Sequence, residues 1–261
     1  MRVDGKVVLI TGASEGIGAA CASAFRRRGA RLSLTARSQE KLEQAGGAEA
    51  LVTPGDLRAA EVRAQVVERT LERFGSVDIL INNAGVGLYT PAWHAPMPLV
   101  RQMFEINLFA ALEMIQLVVP HMRRQRGGAI VNVGSIAGKI TLPWLTLYSA
   151  SKYALGALGD GLRMELQRDG IQVTTVCPGH VTTGFSDHAL QGRPPDAVIR
   201  ARRFAISPER CAEAIVRGVQ RGARTVMAPP SGWILVVLER LIPSLVDRQM
   251  ARMCHSSEQA E

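Results

Sequence analysis

The chain has 261 residues, 47% of them hydrophobic and 21% charged; this suits one large α/β domain or two small ones with a full core, and no apolar run approaches the ~20 residues of a spanning helix. A formal net charge of +8 invites a nucleic-acid or anionic-membrane partner, but the basic residues are spread and form no helix-turn-helix, zinc finger or aromatic-basic platform, so no nucleic-acid partner is expected. Cys21, Cys177, Cys211 and Cys254 form no C-x-x-C pair; this argues against a zinc site and a disulfide framework and fits a reducing cytosol, and Met1–Lys6 leads into an apolar strand with no signal-peptide pattern.

The run from Lys6 to Ile10 suits a buried parallel strand. It enters Thr11-Gly12-Ala13-Ser14-Glu15-Gly16-Ile17-Gly18, followed by a helical pattern to about Arg28. Strand, glycine turn and helix in that order give the motif its meaning. Gly12 permits the turn, Gly16 lets backbone approach a pyrophosphate, Gly18 lets the helix pack closely, and the helix N-terminus faces the phosphates. The second strand is Arg31–Thr35. An NAD-specific site would place an acid at its end, to bind the ribose 2′-hydroxyl. Ala36 stands there instead, followed by Arg37 and Ser38, a cation and a hydroxyl suited to a 2′-phosphate. NADP(H) is therefore favoured, with NAD(H) left open because Glu15 puts a carboxylate in the glycine loop.

A second helix is expected over Lys41–Ala50 and a third strand over Leu51–Thr53. Gly55-Asp56-Leu57 follows, with Asp56 either accepting from an adenine amino group or capping its loop. Residues 59–74 read as an amphipathic helix with Val62, Val66, Val67, Leu71 and Phe74 inward. Val77–Ile81 is the fourth strand. It ends in Asn82-Asn83-Ala84-Gly85, two amides placed to tie neighbouring loops and line a ribose. Residues 86–98 form a loop with Tyr89, Trp93 and His94 where open α/β sheets keep a substrate pocket; His94 reads as incidental. Leu99–Arg124 is a long helix carrying Asn107, a poor mid-helix residue, and Ala129–Val133 is the fifth strand.

That strand delivers Ser135 to the same edge as Asn82. Tyr148 and Lys152, four apart, share a helix face, and an ammonium beside a phenol lowers its pKa. By itself such a pair is usually a surface accident; the glycine loop gives it a dinucleotide to face. The helix from Tyr148 to Arg168 has a small-residue face, Ala150, Ala154, Ala157 and Gly161, suited to close packing inside the domain or between subunits. Gln172–Cys177 is strand six, and Pro178-Gly179-His180-Val181-Thr182-Thr183 lies where it would touch a nicotinamide carboxamide. Residues 185–206, with Gly192, Pro194, Pro195, Arg200, Arg202 and Arg203, read as a mobile lid. Ser207 and Pro208 open a helix, and Thr225–Ala228 is the last strand. Gly232–Met253 reads as one helix, apolar nearly all round at its start and edged by Arg240, Arg248 and Arg252. It suits packing on a subunit or over the pocket, or an interfacial membrane contact.

Strands alternating with helices imply a single-domain doubly wound parallel sheet of about seven strands, a Rossmann fold. Over residues 4–228 the ordered motifs resemble the short-chain dehydrogenase/reductase family. Thr35-Ala36-Arg37-Ser38, Gly134–Lys139 and Tyr148–Lys152 look most similar to its NADP(H)-using branch that includes the 11β-hydroxysteroid dehydrogenases. The resemblance implies a catalytic tetrad of Asn107, Ser135, Tyr148 and Lys152. Tyr148 would be the general acid/base and Ser135 would hold the substrate oxygen. Lys152 would lower the phenol pKa and bind the nicotinamide ribose, and Asn107 would support a proton-relay water. It also implies cofactor contacts at Gly12, Ser14, Ile17, Asp56, Leu57, Asn83, Ala84, Gly85, Pro178, Gly179, Val181 and Thr183. No N-terminal anchor of the kind those enzymes often carry is expected here, and Glu15 stands where NADP(H)-using members often have a base. The expected protein is a cytoplasmic, possible peripheral-membrane homodimer or homotetramer, with residues 1–228 as the catalytic domain and 229–261 as a helical tail. It would interconvert a carbonyl and a secondary alcohol on a small lipophilic substrate. A 3-oxoacyl thioester reductase is the alternative within the class, and a catalytically silent dinucleotide sensor or scaffold the alternative outside it.

Overall fold

The computed structural model describes residues 1–194, 199 and 202–258. Seven strands form one parallel sheet: β1 Val7–Thr11, β2 Arg31–Ala36, β3 Leu51–Pro54, β4 Ile79–Asn82, β5 Gly128–Val133, β6 Ile171–Pro178 and β7 Thr225–Ala228. Their order is β3-β2-β1-β4-β5-β6-β7. The order reverses between β1 and β4, where Ile10 pairs with Ile81, so the crevice at the switch point opens beyond Thr11 and Asn82. The helices are α1 Gly16–Arg26, α2 Gln39–Gly46, α3 Ala60–Phe74, α4 Met97–Phe104, α5 Ala110–Arg124, α6 Thr146–Glu165, α7 Pro208–Arg221, α8 Gly232–Leu241 and α9 Pro243–Glu258.

The strands are apolar on both faces because each face carries helices. Val8, Ile10, Ile79, Ile81, Ala129 and Val131 pack with α1 and α7 through Phe25, Ile215 and Val216. Leu9, Leu80 and Ile130 point the other way, against Val66, Val67, Met114, Ile115 and Val118 of α3 and α5. The period of two along each strand sorts these residues. Of the inward set expected on α3, Val66 and Val67 are buried, while Val62, Leu71 and Phe74 are half-buried. Arg63 and Thr70 are buried beside them. The Arg63 guanidinium donates through its terminal nitrogens to the Leu57 carbonyl and pairs with Glu105 and Glu113, while its Nε has no partner among the described residues; Thr70 bonds to Ser33 and the Val66 carbonyl.

Three helices depart from the sequence reading. The second starts at Gln39, because Ser38 caps it by accepting from the Lys41 N–H at 3.4 Å. The long helix around Asn107 is α4 and α5 joined by a π-turn at Glu105–Phe109. The tail is two helices: Pro243 disfavours helical backbone at the residue before it, and Ile242 leaves the helix at φ −136°, ψ 57°. The small-residue face of α6 is turned outward, with Ala150 and Ala157 exposed and Ala154 and Gly161 half-buried.

Candidate active site

One cleft of about 1380 Å³ runs along the C-terminal edge of the sheet. Its walls include Gly12, Ser14, Glu15, Gly16, Ile17, Arg37, Ser38, Asp56, Leu57, Asn83, Ala84, Gly85, Ser135, Tyr148, Lys152, Pro178, Gly179, Val181 and Thr183. Gly18 and Asn107 are the two expected site residues that stand behind the wall.

The glycine loop follows β1 and opens α1. Gly12 has φ +63°, and a Cβ there would lie 2.9 Å from the Ala84 Cα. Gly16 has φ +56°, and its Cβ would meet Thr183 at 3.0 Å. A side chain at either position would fill the cradle, which fits a pyrophosphate lying on backbone. Gly18 has a packing role instead: a Cβ there would come within 2.2 Å of the Gly12 carbonyl oxygen. Asn83 braces the loop, its Nδ2 donating to the carbonyls of Thr11 at 3.0 Å and Gly12 at 2.9 Å. That amide NH2 thus ties the neighbouring loops as expected, and Asn83 also lines the cleft. Asn82 does not line the cleft; it donates to the Ala111 carbonyl and to Asn132 inside the core.

At the far end of the cleft, beyond β2 and β3, Arg37 is exposed. Asp56 accepts from the Arg58 N–H at 3.0 Å and pairs with its guanidinium at 2.6 Å. Asp56 thus caps its loop while still lining the cleft. The Arg58 side chain, with Arg37 adding a smaller effect, holds its carboxyl below the usual range.

The middle of the cleft is built by β5 and α6. Tyr148 and Lys152 are both buried, which removes the surface-pair reading. Ser135 caps a short turn, accepting from the Ala137 N–H at 3.1 Å, and faces the phenol. Lys152 Nζ lies 5.7 Å from the Tyr148 ring centre and donates to the Val133 carbonyl at 3.0 Å. Burial lowers its pKa to about 8. The expected lowering of the Tyr148 pKa by Lys152 is not what dominates: burial pushes the phenol well above its ordinary value, and Ser135 pulls it back in part. Asn107 is 1% exposed. Its carboxamide accepts from the Val86 N–H at 2.8 Å and donates to the Val86 carbonyl at 3.0 Å and Ser151 at 3.1 Å. Those bonds explain the π-turn: an extra residue in the helix turns Asn107 onto loop 86–90, a use of π-turns common at functional sites.

The third part of the cleft comes from loops, short turns and the two tail helices. Tyr89, Leu142, Trp144, Phe185, Leu190, Leu235 and Met250 line it. Phe185 sits over Tyr148 with ring centres 5.6 Å apart. Ser186 meets the Tyr89 hydroxyl at 3.3 Å, and Leu190 and Gln191 bond to the backbone of Gly87 and Tyr89. Leu235 and Met250 were missed as pocket residues because no local signal in the tail says which side faces inward. His94 is exposed and off the cleft. Of the lid residues, Pro195 and Arg200 lie outside the described residues, and so does the Arg202 side chain. Arg203 stacks on Phe204 at 4.7 Å.

A doubly wound parallel sheet with a glycine cradle at its switch point defines a nucleotide-binding α/β protein. Residues 6–193 match the family model described as short chain dehydrogenase. The 11-beta-hydroxysteroid dehydrogenase-like 2 protein of Arabidopsis thaliana is 33% identical over 261 residues, covering 94% of this chain and 80% of that one. The ketoacyl reductase HetN of Nostoc is 31% identical over 257 residues, covering 94% and 88%. Among solved structures, a short chain dehydrogenase/reductase from Burkholderia phymatum in complex with NAD superposes with a TM-score of 0.83 at 25% identity, covering 94% and 96%. A short chain dehydrogenase from Burkholderia cenocepacia in complex with NADP gives 0.81 at 27% identity, covering 96% and 99%. The chain belongs to the short-chain dehydrogenase/reductase family and is an oxidoreductase acting on hydroxyl or carbonyl groups.

Proposed function

We propose that this protein is an NADP(H)-dependent reductase or dehydrogenase that interconverts a carbonyl and a secondary alcohol on a small lipophilic substrate. The observation that carries the reading is the burial of Tyr148 and Lys152 beside Ser135, in a cleft whose other end is the glycine cradle. A bound nicotinamide supplies or takes up the hydride at the carbinol carbon. Ser135 and the Tyr148 hydroxyl hold the substrate oxygen between them. In the reducing direction Tyr148 gives that oxygen its proton, and in the oxidising direction takes it back. Lys152 offers the cofactor ribose a donor that already leans on Val133, with its ammonium 5.7 Å from the phenol ring centre. Asn107 is a positioning residue: it fixes the Val86 backbone and Ser151 behind the pair. The raised phenol pKa keeps Tyr148 protonated at neutral pH, the form that reduction needs.

Arg37 and Ser38, in place of an acid after β2, support NADP(H) over NAD(H); the neighbours hold one or the other. The apolar wall of Tyr89, Trp144, Phe185, Leu235 and Met250 supports a lipophilic substrate over a polar one. Residues 1–228 supply the cofactor and catalytic groups in this reading, and the tail from 229 completes the substrate wall. The outward small-residue face of α6 is the surface on which a second subunit would pack. The outer face of the tail, with Ile234 64%, Leu241 74% and Leu245 61% exposed, is the one that would meet an anionic bilayer.

NADPH-oxidation assays against a panel of hydrophobic ketones, steroids and 3-oxoacyl thioesters test the reading. Turnover is expected on the ketones. Turnover on thioesters alone would replace it with the acyl-reductase reading, and tight NADPH binding with no turnover would favour a sensor.

A further inference from the structure

Glu15 was the one residue that spoke against NADP(H), and its surroundings change its meaning. Its carboxylate is held from two sides. Oε2 pairs with Lys41 Nζ at 3.1 Å, and Oε1 accepts from His188 Nε2 at 2.7 Å. Lys41 belongs to the first turn of α2, directly after Arg37 and Ser38, and its side chain lines the same end of the cleft. Arg37, Lys41 and Arg58 therefore face this end together, against two carboxylates. One of these, Asp56, is already taken by Arg58. Arg37 forms no ion pair among the described residues. Asp187 is the remaining carboxylate of the neighbouring wall, on the lid side next to His188.

We propose that Lys41 is a second cation of the cofactor's 2′-phosphate site, and that Glu15 is its exchangeable counter-ion. Lys41 and Glu15 are half-exposed, so their contact is weak and screened. A phosphomonoester dianion entering beside Arg37 is a better partner for the ammonium than one carboxylate. The flexible four-carbon stem of lysine lets the ammonium turn from Glu15 to the phosphate. His188 then remains on Glu15, so the carboxylate is not left alone next to the incoming anion. A carboxylate in the glycine loop is in this way compatible with a 2′-phosphate.

The inference rests on the NADP(H) reading, and the test separates the two. Adenosine 2′,5′-bisphosphate and adenosine 5′-monophosphate are titrated calorimetrically into the wild type and into Arg37→Ala, Lys41→Ala and Glu15→Gln. The wild type is expected to prefer the bisphosphate. Lys41→Ala should weaken bisphosphate binding about tenfold, a charged hydrogen bond's worth, and leave the monophosphate within about twofold. Glu15→Gln should tighten the bisphosphate several-fold, because the competitor for Lys41 is gone. If the wild type shows no preference, the NADP(H) reading falls and takes this inference with it. If Arg37→Ala loses the preference while Lys41→Ala keeps it, only the role of Lys41 is overturned. Weaker bisphosphate binding in Glu15→Gln would contradict the exchange.

Discussion

The two ends of the cleft are built in different ways. The cofactor end is made of backbone held by regular structure: β1, the glycine loop and α1, braced by Asn83. Its shape depends on the absence of side chains at Gly12, Gly16 and Gly18. The substrate end is made of side chains on irregular or terminal chain: Tyr89 and Trp144 from loops, Phe185 from the turn after β6, Leu235 and Met250 from the tail. The glycine cradle of the first end tolerates almost no change, because backbone cannot move aside. The second can change its lining one side chain at a time without disturbing the sheet. A scaffold divided in this way keeps one cofactor chemistry while its substrate varies. Tyr148 and Lys152 stand at the seam between the two.

The comparison can be broken first at the seam. Tyr148→Phe should lower turnover by roughly 10²–10⁴-fold while NADPH affinity, read by fluorescence titration, stays within about twofold. Lys152 tests the seam through pH. Its folded pKa of about 8 lies below its ordinary 10.5, so between those values the unfolded chain binds more protons at this site. Its contribution to stability therefore rises with pH through that window. Urea unfolding of wild type minus Lys152→Met should show a difference that grows by up to about 3 kcal/mol from pH 7 to 10.5; a flat difference would mean that burial does not depress the Lys152 pKa. At the cofactor end, Gly18→Ala forces a methyl toward the Gly12 carbonyl and should cost about 1–3 kcal/mol of stability, with cofactor binding lost. At the substrate end, Leu235→Ala should raise KM for a hydrophobic ketone about tenfold without changing NADPH affinity or melting temperature by more than a degree or two. Equal damage to both ligands from either of the last two substitutions would erase the distinction between the ends.

How much was legible follows the same division. Strands, the glycine loop and the shared helix face of Tyr148 and Lys152 could be read because each rests on a local rule: a continuous apolar run, a glycine turn between strand and helix, a four-residue spacing; the catalytic tetrad as a set came only from the family resemblance. The Ser207 cap and Pro208 were legible for the same reason, and Ser207 does accept from the Arg210 N–H. Local rules failed where a distant partner decides. Nothing near Asn107 announces that Val86 will turn its helix into a π-turn. The buried Arg63 breaks the polar-out pattern of α3 because Glu105 and Glu113 arrive from two other elements. The tail was read as one helix although Pro243 was in view, since its apolar pattern runs past the proline unbroken. The phenol pKa was argued from its neighbour Lys152, whereas burial, a property of the whole fold, dominates it.

The central claim is that hydride crosses this cleft to a carbonyl carbon while Tyr148 supplies the proton. NADPH deuterated at the transferable C4 position, incubated with the protein and a hydrophobic ketone, tests it most directly. The account predicts an alcohol carrying one deuterium on the carbinol carbon with the wild type, and the same labelled alcohol formed roughly 10²–10⁴-fold more slowly with Tyr148→Phe. Unlabelled alcohol from the wild type, or undiminished label transfer by Tyr148→Phe, would contradict it.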